Sequence, residues 1–310
     1  MTRHLLTLDS LGRDGILANL ALAADLKSRK GMAQHALPGG RVGLIFEKPS
    51  LRTRVSFTNA AWGLGMLPMT LGTDELQFGR RESIPDTARV LSRYLDALVI
   101  RTFSQSLVEE LAGHATIPII NALTDDHHPC QALADVMTIQ EEFGELAGLR
   151  VAFVGDGNNV CNSLIPAAGY LGFTLAISTP KGYEPKAEIV EAARANCKIN
   201  GGAIEVGHDV REAARGSDAV YTDVWASMGQ EKERLDRARS FAGYRVDSAL
   251  MALAAPRAIF LHCLPAHRGD EVVDQVIDGP QSRVWDEAEN RWHTEEALLY
   301  TLITGKERLG

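Results

Sequence analysis

Val42-Gly43-Leu44-Ile45-Phe46-Glu47-Lys48-Pro49-Ser50-Leu51-Arg52-Thr53-Arg54-Val55-Ser56-Phe57 sets the reading of this chain. An apolar run with strand character, Val42–Phe46, ends in a short polar turn, and a helical segment follows. Pro49 and Ser50 stand where the strand gives way to the helix. The first amides of a helix have no partner within it. Two hydroxyls and a guanidinium beside them suit a phosphate or another compact oxyanion. For this string alone, a capped surface helix carrying a few arginines is the alternative.

The same strand–turn–helix unit recurs along the chain. Apolar runs at Val42–Phe46, Met66–Leu71, Ala97–Arg101 and Ile117–Asn121 read as buried strands in the first half. Arg150–Gly155, Thr174–Ser178, Ala203–Gly207, Ala219–Asp223 and Ala258–His262 follow in the second. Helical patterns at Thr87–Tyr94, Gln131–Phe143, Pro185–Asn196 and Gln230–Phe241 lie among them. The alternation predicts an α/β fold of two domains, each a mainly parallel sheet flanked by helices. Gln131–Phe143, long and polar-faced, is placed to carry the chain from one domain to the next. A first helix at Arg13–Lys30 and a last at Thr294–Ile303 read as faces packed on a core, without chemistry of their own.

Length and composition agree with two cores. The chain has 310 residues, 45% hydrophobic and 23% charged, the ordinary balance of a soluble protein. Its formal net charge of −8 argues against a broad nucleic-acid surface, so an anionic ligand would have to be met by a local group of arginines. No apolar run approaches the ~20 residues of a membrane span, and Met1–Leu6 lacks the apolar core of a secretory signal. Cys130, Cys161, Cys197 and Cys263 form no Cys-x-x-Cys pair and suggest neither a zinc site nor a disulfide framework. These features point to the cytoplasm.

Five further features sit where strands end. His128-Pro129-Cys130-Gln131 opens a helix and offers an imidazole and a carboxamide, the pair that meets a carbonyl oxygen and an amide nitrogen. Arg101 closes a strand apolar enough that its charge calls for a partner or a ligand. Phe260-Leu261-His262-Cys263-Leu264-Pro265-Ala266-His267-Arg268-Gly269 delivers a thiol and a backbone carbonyl into a loop, although a lone cysteine is more often a core residue. Gly155-Asp156-Gly157-Asn158-Asn159-Val160 is a weak dinucleotide-type signal, because Val160 stands where the third glycine would be. Its asparagines suit a zwitterion better than a pyrophosphate. Asp223, at the head of Asp223-Val224-Trp225-Ala226-Ser227-Met228-Gly229, is placed to pair with an ammonium group.

Together these motifs resemble the aspartate/ornithine carbamoyltransferase family, in family order from Arg41 to at least Leu299. Ser-x-Arg-Thr-Arg, His-Pro-x-Gln and His-Cys-Leu-Pro carry the resemblance, and Asp-x-x-x-Ser-Met-Gly favours ornithine over aspartate. The resemblance implies a carbamoyl phosphate-binding domain at 1–135, with 293–310 packing back on it, and an ornithine-binding domain at 136–292. It implies transfer of the carbamoyl group to the δ-amine of L-ornithine, giving citrulline and phosphate within arginine metabolism. No metal or organic cofactor is implied, and the family assembles as trimers or multiples of trimers.

Residue by residue, the resemblance gives the phosphate to Ser50, the backbone amide of Leu51, Arg52, Thr53 and Arg101, with Gln77 supplied from the adjoining subunit. Arg101, His128 and Thr53 would polarise the carbamoyl oxygen. Gln131 and the carbonyl of Leu264 would hold its nitrogen, and Arg291 would complete the site. Asn159, Asp223, Ser227 and Met228 would bind ornithine, with Cys263 beside the reacting amine. Arg54 matches a structural position. Two residues depart from the pattern. Leu51 replaces a threonine, and Thr58 replaces a glutamate, which removes a carboxylate near the arginines. Two rival readings are a sister enzyme acting on putrescine, acetylornithine or aspartate, and a nucleotide-binding module built on Gly155–Asn159. Cys263 and the departing phosphate are the candidates for taking the proton of the amine.

Overall fold

The structure is a computed structural model that describes residues 3–29, 36–72, 82–226 and 233–309. It divides into two compact units, Met1–Ala134 with Glu289–Gly310, and Asp135–Ala288.

In the first unit, strands β1 (Arg41–Phe46), β2 (Leu67–Leu71), β3 (Ala97–Arg101) and β4 (Ile119–Leu123) form a parallel sheet in the order β2-β1-β3-β4. Helices α1 (Gly12–Ser28), α2 (Leu51–Gly63), α3 (Ile84–Tyr94) and α4 (Gln105–His114) belong to the same unit. Ile45, Leu98, Ile100 and Ile119 pack against Ala88, Val108 and Leu111 of α3 and α4. Each fully buried aliphatic side chain of this kind contributes about 1.5–3 kcal/mol. Ser83 caps α3 and Ser104 caps α4, each accepting from an amide of the first turn.

Helix α5 (Pro129–Phe143) runs from the first unit into the second. There β5 (Arg150–Val154), β6 (Thr174–Ser178), β7 (Ala203–Gly207), β8 (Ala219–Thr222) and β9 (Ile259–Leu261) form a second parallel sheet, ordered β7-β6-β5-β8-β9. Helices α6 (Asn159–Leu171), α7 (Ala187–Asn200), α8 (Val210–Ala214), α9 (Arg234–Ser240), α10 (Ser248–Met251) and α11 (Asp274–Ile277) complete the unit. Val154, Val220, Phe260 and Val284 form its core on one face, and Phe153 stacks on Tyr221 at 5.4 Å. The chain returns to the first unit through α12 (Val284–Thr304).

Both sheets are the expected α/β type, with local differences that have physical causes. β4 starts at Ile119, later than the apolar run suggests, because Pro118 has no amide hydrogen to give the ladder; its carbonyl accepts from Leu98 N at 2.9 Å. Met66 is left out of β2, its amide donating to Ala61 O at 2.8 Å. α12 begins at Val284, well before the expected Thr294. Its buried side chains include Glu287, Asn290, Arg291, Glu295 and Glu296, so apolar periodicity does not mark its first half.

Each sheet has one topological switch point, where successive connections turn to opposite sides. It falls between β1 and β3 in the first unit and between β5 and β8 in the second. Crevices at the carboxyl ends of such strand pairs are where open parallel sheets bind ligands. Among the described residues no helix is long and apolar enough to cross a membrane.

Candidate active site

In the first unit the switch point brings together most of the predicted anion-binding residues. Ser50 is the N-cap of α2 and accepts from Thr53 N at 3.3 Å, so Leu51 and Arg52 occupy the first turn. Arg101 is the last residue of β3, and its carbonyl accepts from Glu47 N at 2.9 Å, tying the β1 turn to the β3 end. Thr102 donates to Glu47, and buried Lys48 pairs with Asp125 while its ammonium sits 4.5 Å from the Phe103 ring centroid. These contacts fix the three strand-end turns against one another. His128 immediately precedes α5 and accepts from Gln131 N at 3.0 Å through its carbonyl.

α12 delivers Arg291 to this group. Arg291 Nη1 donates to Gln131 Oε1 at 2.9 Å, and Nη2 lies 3.4 Å from Thr53 Oγ1. Arg291 lies on the part of α12 that precedes the expected Thr294–Ile303 segment, and the longer helix brings this predicted site residue to the group. Burial, then the charges of Arg291, Arg101 and Arg52, hold the His128 imidazole well below its usual pKa. A neutral imidazole donor among three guanidinium groups is equipped to meet a carbonyl oxygen beside a phosphate. Thr58 removes one carboxylate from the α2 sequence, yet Glu295 supplies one to Arg291 at 2.5 Å. Leu51 is 78% exposed, and only its backbone remains as a ligand candidate. Arg54 is exposed, with its guanidinium 5.2 Å from the Phe46 ring centroid, in keeping with a structural position. Gln77 lies outside the described residues.

The second unit gathers its own set at the β5/β8 switch point. Asp223 follows β8; its Oδ1 accepts from Val224 N at 2.8 Å and from Cys263 Sγ at 3.0 Å. Its Oδ2 accepts from Asn158 Nδ2 at 2.7 Å. Asn158 also caps α6, its Oδ1 accepting from Val160 N and Cys161 N. Asn159, the predicted ligand, is the first residue of α6 and is buried. Burial and the neighbouring Asp223 charge push the Cys263 thiol well up, in keeping with its donating to Asp223 here. Ser227 and Met228 lie outside the described residues.

The loop that carries Cys263 and Leu264 is fixed by buried acids. Glu287 accepts from His262 N at 2.9 Å and from Tyr221 Oη at 3.1 Å, while Tyr221 Oη lies 3.3 Å from Asp135 Oδ1. Burial and the adjacent Asp135 hold the Glu287 carboxyl well above its usual range. His262 Nδ1 accepts from Leu264 N at 2.8 Å, which places the ring proton on Nε2, 3.2 Å from Glu271 Oε1. Leu264 is thereby held at φ 56°, an uncommon backbone conformation for a residue with a side chain. Asp223, His262 and Cys263 bring metal-ligand atoms within 4.8 Å of one another, but these internal hydrogen bonds already account for the cluster.

The glycine turn serves the fold. A Cβ on Gly157 would lie 2.3 Å from Pro185 N, and Gly157 N donates to Tyr183 O at 2.8 Å. The chain's own backbone fills the space a pyrophosphate would need, and Asn158 occupies the helix-end amides. The dinucleotide reading of Gly155–Asn159 has no cradle to rest on.

Comparison with known proteins agrees with this geometry. The carbamoyl-P binding domain of aspartate/ornithine carbamoyltransferases matches residues 3–141, and their Asp/Orn binding domain matches residues 147–302. The chain belongs to the aspartate/ornithine carbamoyltransferase family. It is 48% identical over 307 residues to an ornithine carbamoyltransferase of Methanoculleus marisnigri, covering 98% of each chain. It is 50% identical over 306 residues to one of Caldicellulosiruptor saccharolyticus, covering 98% of this chain and 99% of that one. The solved ornithine carbamoyltransferase from Pyrococcus furiosus matches with a TM-score of 0.94 at 46% identity, over 98% of this chain and 97% of that one.

Sequence reading named both asparagines of the Gly155 turn but carried only Asn159 into the ligand set, and it gave no role to His262, Glu271, Glu287 or Glu295. A polar residue directly before a helix was the available signal for Asn158. The buried acids carry no local signal, because their partners are distant in sequence.

Proposed function

We propose that the chain catalyses transfer of the carbamoyl group from carbamoyl phosphate to the δ-amine of L-ornithine, giving citrulline and phosphate. The observation that carries this reading is the first unit's group of Arg52, Arg101 and Arg291 around neutral, buried His128. The first unit takes the donor. Ser50, Thr53, the first amides of α2 and the arginines hold the phosphate. His128 and Arg101 donate towards the carbamoyl oxygen, where negative charge grows as the tetrahedral intermediate forms. Gln131, steadied by Arg291, meets the carbamoyl nitrogen.

The second unit takes ornithine. Asp223 pairs with the α-ammonium group, and its bonds from Asn158 and Cys263 keep the carboxylate in place. The nucleophile must be the neutral amine, which at a lysine-like pKa near ~10.4 costs roughly 4–5 kcal/mol at pH 7. With Cys263 a donor, the departing phosphate is the acceptor for the amine's proton. The expected domain extents, 1–135 with 293–310 and 136–292, serve this division of labour with one adjustment, because Arg291 works with the donor group and belongs to the unit that resumes at Glu289.

A homotrimer, or a multiple of trimers, is part of the same reading. Leu51, Val55 and Trp62 form an exposed stripe on α2, and Leu67 and Met69 are exposed on edge strand β2. Such a face suits burial against a second copy, which would also supply Gln77. Four free cysteines suit the cytoplasm.

The test is to supply carbamoyl phosphate with ornithine, putrescine, acetylornithine or aspartate in turn and to measure the carbamoylated product. Citrulline from ornithine is expected, with little product from the others. Faster carbamoylation of another acceptor would overturn the choice of substrate.

A further inference from the structure

Glu295 has no part in the reaction as described, yet it holds one of its arginines. Its Oε1 accepts from Arg291 Nε at 2.9 Å and Nη2 at 2.5 Å, and the two side chains are 1% and 3% exposed. Ser56 of α2 is a polar neighbour of Glu295, its hydroxyl donating to Thr53 O at 3.3 Å. The same guanidinium reaches Gln131 and Thr53 through its remaining hydrogens. One arginine is therefore shared between a buried carboxylate and residues assigned to the donor. A carboxylate in that position orients Arg291, but it also opposes any dianion that Arg291 helps to hold.

We propose that Glu295 is the counter-ion of the anion pocket and takes up a proton from solvent when the phosphate dianion of the donor binds. The proposal rests on the carbamoyl phosphate reading of this site. Protonation would remove the opposing charge while leaving a carboxyl oxygen to accept from Arg291, so the arginine keeps its orientation and its full charge faces the ligand. Donor binding would then weaken as the solution becomes more alkaline, because the proton is harder to recruit.

The neighbouring charges leave Glu295 suited to this. Burial raises its carboxyl to about 7, against the opposing pull of the Arg291 charge, of the Ser56 hydroxyl nearby and of the hydrogen bonds from Arg291. Arg291 on its own helix, Arg52 on α2 and Arg101 on β3 stay charged. His128, ahead of α5, is held neutral, and burial pushes the Cys130 thiol of α5 far up. Glu296, the next residue of α12, is also raised, to about 8, but it lies beside Gly63 of α2, whose added Cβ would be 2.6 Å from Glu296 Oε1. Its neighbours are Gly63 and Trp292, and it serves as the control.

Carbamoyl phosphate binding to the full-length protein decides the matter, measured by calorimetry from pH 6.5 to 8.5 in buffers of different ionisation enthalpy. The parent is expected to take up more protons than the ligand's own ionisation explains. Glu295→Gln should lose that excess and bind about 10-fold more tightly than the parent at pH 8.5, with the difference closing towards pH 6.5. Glu296→Gln should follow the parent. A purely structural Glu295 would instead make Glu295→Gln bind more weakly at every pH, and that result, or parallel pH curves, overturns the proposal. If Glu295→Gln does not fold, the parent alone decides, since an absent proton excess is equally fatal. No binding by the parent at any pH would overturn the carbamoyl phosphate reading itself.

Discussion

Asn158 Nδ2 donates to Asp223 Oδ2 across 2.7 Å, joining the turn after β5 to the end of β8. The carboxamide cannot be reversed without loss, because its oxygen caps two amides of α6 while its nitrogen faces a carboxylate. One side chain thus starts a helix and orients the carboxylate proposed to meet the amino acid.

Asn158→Ala should therefore raise the KM for ornithine about 10-fold or more, the loss of one charge-assisted hydrogen bond, and leave the KM for carbamoyl phosphate unchanged. The missing cap should cost about 1 kcal/mol of stability. Steady-state kinetics with each substrate varied in turn, together with thermal melts, check both. Equal rises in the two KM values would mean that Asn158 supports the fold alone.

Cys263 gives a second test, because its thiol is pushed up and donates to Asp223. At low ornithine the rate should climb from pH 6.5 to 8.5, by up to about 10-fold per pH unit, as the amine loses its proton. Cys263→Ser keeps a donor and should retain that profile with less than about a 10-fold loss of kcat. A profile displaced in the serine variant would return the base role to the thiol.

Glu295 and Glu296 make stability depend on pH. Burial raises their carboxyls from an ordinary value of 4.5 to about 7 and about 8, so the folded chain holds protons that the unfolded chain has released. Stability is then fullest below pH 4.5 as far as these groups decide it, and falls as pH rises towards 7 and 8, by up to about 1.4 kcal/mol per pH unit for each carboxyl. Glu296→Gln should flatten the decline between pH 6 and 8 in denaturant titrations. An unchanged slope would show that Glu296 ionises normally in the folded protein.

Much of this was legible in the sequence, and the limits are informative. Strands such as Ala97–Arg101 and Thr174–Ser178 carry unbroken apolar runs because both faces of a parallel sheet are covered, and their bounds agree with the structure. The start of α12 was hidden for the opposite reason: its buried face is built from Glu287, Asn290, Arg291 and Glu295, a pattern that reads as solvated surface. In the site, Ser50, Arg52, His128 and Gln131 announce themselves because each stands where a strand has ended and a helix begins. Glu287 and Glu271 gave no such sign. Their work is to hold the 262–264 loop, and a supporting contact made across the fold leaves no local pattern.

Central to the proposed function is that the first turn of α2, with Arg52, grips the donor, and equilibrium binding of carbamoyl phosphate without ornithine tests this most directly. The parent is expected to bind, Arg52→Ala to bind at least ~30-fold more weakly, and Arg54→Lys, changed at an exposed site over Phe46, to stay within about twofold. Equal affinity in all three proteins would contradict the placement of the donor at this helix end.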